Sequence, residues 1–173
     1  RPEGTKGGIS EWAVQSVFSN INYAYDGKYL GQLSLRRDGA SNFGDNAKYG
    51  NFFSISGGWN IHREDFFNSD IVNELKLRAS YGSVGNRPSS LYPQYDLYSV
   101  SSSVSYNENS GALISQIGNR DLTWEKTYTT GVGLDIALVD RVRLTLDYYD
   151  KNTSDLLYQV PVPGLTGVMR IWR

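Results

Sequence analysis

Glycoside hydrolysis would need a pair of carboxylates, and Glu125, Asp135 and Asp147 are the ones that invite a test. Two of them could flank a sugar bond as general acid and base. All three lie in regularly alternating segments, and no signal marks one as protonated and the other as ionised. His62 stands beside Arg63, Glu64 and Asp65 in a turn-like stretch, with no Ser or Cys nucleophile motif and no second histidine to share a metal. A surface histidine is expected. The stretch Gly82-Ser83-Val84-Gly85-Asn86 resembles a phosphate loop only superficially, because no Gly-Lys-Ser/Thr and no helix follow it. It reads as a strand end. Arg36, Arg37, Asp38 and Asp45 could surround a ligand or a calcium ion, but their spacing is not that of an EF-hand. Asp, Asn and Gly in such a run are turn formers first, so ion pairs that tie a loop down are expected. Tyr92, Tyr95, Tyr98 and Trp124 are the binding candidates, since aromatic faces stack on sugar rings. No catalytic, metal or cofactor residue is expected.

Composition narrows the classes further. The chain has 173 residues, 17 basic against 18 acidic side chains, one histidine and no cysteine. Near-zero net charge removes the basic footprint of a nucleic-acid binder. The absence of cysteine excludes disulfide frameworks and cysteine-ligated zinc or iron–sulfur sites. The longest apolar run, 136–139, is far too short for a membrane-spanning helix. Against this polar background stand 13 Tyr, 4 Trp and 6 Phe. No signal-peptide pattern opens the chain, which reads as a segment of something longer.

These residues are carried on strands. Period-two alternation recurs over 17–25, 29–37, 51–61, 75–82, 124–138 and 142–149, giving six expected strands of mostly about nine to fourteen residues. In the third, Phe53, Ile55, Trp59 and Ile61 oppose Ser54, Ser56, Gly58 and Asn60. In the fifth, Trp124, Tyr128, Val132, Leu134, Ile136 and Leu138 oppose Glu125, Thr127, Thr129, Gly131, Gly133 and Asp135. Asp26-Gly27-Lys28 and 139–141 are tight turns, 38–50 and 85–123 are long loops, and 62–74 has room for a short helix. Short connections at one end and long ones at the other describe an up-and-down meander. Parity requires 85–123 to hold either no strand or a whole hairpin, with 95–100 and 104–106 as its candidates.

A soluble β-sandwich that binds carbohydrate also alternates, so period alone does not decide. Three features favour a membrane barrel. The strands are long enough to cross a bilayer at a tilt, and longer than the soluble mode. Aromatics (Tyr23, Tyr25, Tyr29, Trp59, Tyr81, Trp124, Tyr128, Tyr148) gather near strand ends, as interfacial girdles do. The opposite face mixes Asn, Gln, Ser, Thr, Gly and charges, and would carry Lys76, Arg78, Arg143, Asp135 and Asp147 into a wet lumen as cross-strand pairs. Six strands cannot close in lipid, so the sheet must be completed by more chain.

Particular residues then say more than the period. YLGQLSLRRDGASNFG at 29–44, FSISGGW at 53–59, LKLRASYGSVGN at 75–86, GNRDLTWEKT at 118–127, and DYYDKNTSDLL followed by VPVP at 147–163 occur in this order. Together they resemble the SusC/RagA-type TonB-dependent outer-membrane transporters over about 17–168. Arg120 stands where the family pattern has proline, and 169–173 matches nothing in it. The resemblance implies a 22-stranded plugged barrel in the outer membrane of a Gram-negative, Bacteroidetes-like cell. It also implies TonB-energised uptake of oligosaccharides or peptides and a SusD-like surface lipoprotein partner. TonB would act through a plug domain that residues 1–173 do not contain, so the chain is expected to be a partial barrel domain.

Overall fold

The computed structural model describes residues 11–44, 46–106, 109–139, 141–161 and 170–172, with side chains left undescribed at 101–110, 161 and 170–172. Its elements are β1 (Val14–Tyr25), β2 (Tyr29–Ala40), β3 (Tyr49–Asn60), a 3-10 turn (Ile61–Arg63), β4 (Val72–Asn86), β5 (Leu97–Tyr106), β6 (Asn109–Gln116), β7 (Glu125–Leu138), β8 (Val142–Ser154), β9 (Gln159–Pro161) and β10 (Arg170–Trp172). Six strands form one antiparallel sheet in the order β1-β2-β3-β4-β7-β8. The expected all-β meander is present; β1, β2, β3, β4 and β8 outrun their sequence limits by a few residues at the long-loop end, whereas β7 begins one residue late.

Parity is resolved by a hairpin. β5 and β6 pair with each other outside the main sheet. Residues 104–106 belong to its first strand, and the second is 109–116, whose Gly, Ala and Ser content hid it from an alternation test. β9 and β10 make a further short pair. The short helix of 62–74 is the single 3-10 turn, running on from β3.

Register places the two faces. Trp59, Leu77, Leu134 and Leu146 share one row, and Gly58, Arg78, Gly133 and Asp147 the neighbouring row on the other face. The apolar face stays open: Ile21 is 59% exposed, Ile55 52% and Leu146 53%. A sandwich would bury that face beneath a second sheet; none covers it among the described residues. The sandwich alternative is thereby set aside.

Aromatic rows border the open apolar face. At the tight-turn end Tyr25, Tyr29 and Trp59 stack in series at centroid spacings of 6.5 and 6.4 Å. Toward the long-loop end Phe53 meets Tyr81 edge-on at 5.7 Å and Tyr81 stacks on Tyr128 at 6.4 Å. These are the positions of two interfacial girdles.

The lower girdle is fastened to its turns. Asp26 and Gly27 take consecutive positive φ (51° and 61°), and Lys28 N–H donates to Tyr25 O at 3.0 Å. This is the turn whose twist matches a two-residue hairpin. Glu64 accepts from the Tyr29 hydroxyl at 2.7 Å and the Trp59 indole N–H at 2.8 Å, with the Lys28 ammonium 3.5 Å away. The Tyr29 hydrogen bond, then that of Trp59, holds the Glu64 carboxyl below its ordinary range. A carboxylate with a depressed folded-state pKa stabilises fully above its ordinary range and fades as pH falls through its lowered value. Acid titration of the unfolding midpoint should therefore show wild type more stable than Glu64→Gln near neutrality, with the gap closing in acid below the ordinary carboxylate range.

Candidate functional site

The polar face is built from small side chains at its centre and hydrogen-bonding ones at its margins. Asn22, Gln32, Ser56, Ser80, Gly131 and Tyr149 form one cross-strand row. The sheet's curvature turns this face into a concavity of about 570 Å³. The charges expected there are on it, and Arg78, Asp135 and Asp147 are paired. Arg78 on β4 makes a two-pronged contact with Asp135 on β7, Nε to Oδ2 at 2.7 Å and Nη2 to Oδ1 at 3.1 Å. The same Nη2 reaches Asp147 on β8 at 3.0 Å, and Thr145 donates to Asp135 at 3.1 Å. Fork-to-carboxylate geometry makes such pairs directional.

Gly133 is what lets Arg78 cross β7. A Cβ there would stand 2.6 Å from Asp147 Oδ1 and 2.8 Å from Arg78 Cζ. Gly133→Ala should therefore push the guanidinium off Asp147 while leaving the strand in place. In a double-mutant cycle of thermal midpoints, Gly133→Ala and Asp147→Asn should be clearly non-additive, because both remove the same contact.

With Asp135 and Asp147 committed to Arg78, neither is an acid poised against a base. Glu125 accepts from Asn86 Nδ2 at 3.3 Å and from Leu157 N–H at 3.2 Å, fastening the end of β4 and the chain after β8. The three carboxylates form no glycosidase pair. His62 departs from the expected surface position: it is half-buried, and its Nδ1 lies 3.2–3.3 Å from the backbone O and N of Leu75, tying the 3-10 turn to β4. Residues 82–86 end β4, as a strand end should. Arg36, Arg37 and Asp38 do not converge. Arg36 and Asp38 pair on the polar face at 2.7 Å, whereas Arg37 points the other way and lies over Tyr49 at 4.8 Å. Asp45 lies outside the described residues.

The rim beside the long loops holds the only buried apolar cluster among the described residues: Ala40, Phe43, Phe52 and Trp124. Trp124 meets Phe43 at 4.8 Å and Phe52 edge-on at 5.6 Å, and its indole N–H reaches Lys48 O at 3.4 Å. This corrects two expectations for Trp124. It precedes β7 rather than belonging to it, and at 4% exposure it is neither a girdle residue nor a face on which a sugar could stack. Phe52 was the readable sign. It is an aromatic on the parity of Ser54 and Ser56, hence on the polar face, where only a local core gives it a partner.

Polar bolts complete the rim. Asn42, with no exposed surface, donates to Ser90 O at 2.8 Å and accepts from Arg87 at 3.4 Å; Arg87 lies over the Trp12 ring at 4.1 Å. Asn119 N–H bonds Pro93 O at 3.0 Å, and Gln116 Nε2 donates to the carbonyls of Tyr92 and Tyr95 at 3.0 and 3.2 Å. The loops on either side of β5–β6 are thus one packed unit at the hairpin's root. Tyr92, Tyr95 and Tyr98 remain on its surface, 44%, 55% and 62% exposed.

Two belted girdles around an open apolar face, backed by a wet face on which Arg78 pairs with Asp135 and Asp147, describe the wall of a transmembrane barrel. The family model described as TonB dependent receptor-like, beta-barrel matches residues 4–170. The chain belongs to the TonB-dependent receptor β-barrel family. It is 42% identical over 161 residues to a TonB-dependent receptor of Formosa agariphila, covering 92% of the chain and 15% of that relative. It is 32% identical over 167 residues to the TonB-dependent receptor SusC of Bacteroides thetaiotaomicron, covering 86% of the chain and 16% of SusC. Among solved structures it superposes on the RagAB peptide importer in its closed-closed state with a TM-score of 0.85 at 32% identity, over 95% of the chain and 18% of that structure's chain. The TonB-dependent receptor segment described here therefore spans about a sixth of the length of the curated relatives it matches. In barrel terms its apolar face meets lipid, its polar face lines the lumen, and the long loops rise from one rim.

Proposed function

We propose that this segment is part of the barrel of an outer-membrane importer that takes up oligosaccharides or peptides using energy delivered by TonB. In this reading residues 1–173 are a partial barrel domain, and TonB acts through a plug domain elsewhere in the receptor. A SusD-like surface lipoprotein meets the long-loop rim, and the host is a Gram-negative, Bacteroidetes-like cell. The segment contributes passage and contact rather than catalysis, and the reading calls on no cofactor. One observation carries it: strands of 12 to 15 residues with a girdled apolar face and a polar face on which Arg78 pairs with Asp135 and Asp147. SusC and the RagAB peptide importer, each at 32% identity, support uptake of a nutrient solute. Tyr92, Tyr95 and Tyr98 are the proposed solute contacts, held exposed on a rigid root.

The test is uptake by cells carrying the full receptor. A panel of labelled oligosaccharides and peptides should yield a solute whose accumulation disappears when TonB is deleted. The receptor should fractionate with the outer membrane and run with heat-modifiable gel mobility. Recovery in the periplasm or cytosol, without heat-modifiability, would overturn the proposal.

A further inference from the structure

Resting on the importer reading, the seam between β3 and β4 suggests how solute is recognised. Their ladder runs from Asn60↔Lys76 up to Ser54↔Gly82 and stops, although β3 continues to Tyr49 and β4 to Asn86. Each upper segment stays paired on its other side, β3 to β2 and β4 to β7. At the point of parting, Phe53 N–H turns to the Ser83 hydroxyl at 3.3 Å instead of to a strand carbonyl. The opening lies beyond the upper girdle of Phe53, Tyr81 and Tyr128, where water can satisfy the backbone. Below that girdle, in lipid, the same gap would leave backbone groups unpaired where no water reaches them.

A cleft of about 200 Å³ occupies the seam. Ser34 and Ser54, direct cross-strand partners on the lumen face, line it with Arg36, Asp38 and the Phe52 ring. Asp38 is 7% exposed and accepts from Arg36 Nε at 2.7 Å. That bond fixes the plane of the guanidinium and leaves its terminal nitrogens, on a side chain 55% exposed, available to a second acceptor. A buried acid that orients an arginine, two hydroxyl donors beside it and an aromatic wall form a receptor for a planar anion of one group's size. We propose that the Arg36 cleft is a lumen-side subsite for a solute carboxylate. Arg36 forms the two-pronged contact, Ser34 and Ser54 donate to the remaining lone pairs, and Asp38 is a positioning residue. The carboxylate can come from a peptide C-terminus or from a uronic acid.

Competition in cells carrying the full receptor, against uptake of the solute the panel identifies, separates these sources. One arm compares a pentapeptide as free acid and as C-terminal amide; the other compares an oligogalacturonate with its methyl ester. The acid of at least one pair should compete about tenfold better than its neutral form, as charge-assisted hydrogen bonds allow. Arg36→Gln should erase that preference, so that the acid competes no better than its neutral form. Asp38→Asn should weaken it partially, because the guanidinium loses its orientation. Equal competition by acid and neutral forms in both arms, or a preference that survives Arg36→Gln in a heat-modifiable receptor, would overturn the subsite. Transport of the panel solute would be intact in either case, so this failure differs from that of the importer reading, in which nothing accumulates. Should Arg36→Gln not assemble, Arg36→Lys serves: it keeps the charge but loses the fork, and the preference should fall.

Discussion

Replacing Trp124 by alanine is expected to cost about 3–5 kcal/mol, the usual loss for a large aromatic deleted from a packed site. Trp124 is the hub of the rim: Phe43 lies on its ring, Phe52 meets its edge, and Lys48 O accepts from its indole. Its removal leaves Phe43 and Phe52 without a common partner and the loop carbonyl without its donor. The main sheet does not depend on this core, because its strands are held by ladders below. The damage should therefore be local. Limited proteolysis should find new cleavage within 87–124 while the heat-modifiable band persists, and uptake should fall because β5–β6 and Tyr92, Tyr95 and Tyr98 lose their root. Trp124→Phe should recover much of the packing and none of the bond to Lys48. Loss of uptake with loops as resistant as wild type would show that Trp124 acts in some other way.

The second large effect separates the two faces. Val132 lies on the apolar face of β7, between Tyr128 of the upper girdle and Leu134, which is in register with Trp59 of the lower girdle. Val132→Arg should destabilise the refolded barrel by about 2–4 kcal/mol, the cost of a cation near the bilayer midplane. Thr129→Arg, on the same strand but facing the lumen beside Ser54 and Lys151 in register across Gly82, should change stability far less. Denaturant titration in liposomes measures both. Equal penalties would contradict the assignment of lipid and lumen.

Much of this was legible in the residues themselves. Strand existence, face assignment and the tight turns followed from alternation and from Asp26-Gly27, because these are set by neighbours in the chain. Lys76, Arg78, Asp135 and Asp147 could be placed on one face by counting alone. Their partners could not. Arg78 reaches Asp135 and Asp147 across 57 and 69 residues, and only the register, with Gly133 standing between them, selects that pairing. The β5–β6 hairpin was legible as one of the two arrangements parity allows, but its second strand was not, since Asn109–Gln116 is too small and polar to show a face.

Trp124 marks the boundary most clearly. Read in sequence it continues the apolar parity of Tyr128 and Val132; in the fold it turns inward one residue before the strand begins, because Phe43 and Phe52 are there to receive it. Asn42 likewise looks like a turn residue until Ser90, 48 positions away, accepts its amide. Sequence by itself determined a long-stranded meander with one face for lipid and one for water, because β alternation is a local property that the bilayer only has to accept. Tertiary structure alone decided how the loops close into a rim, which charges pair across the wall and where β3 and β4 part. Each of these depends on contacts between residues far apart in the chain, and no local period encodes them.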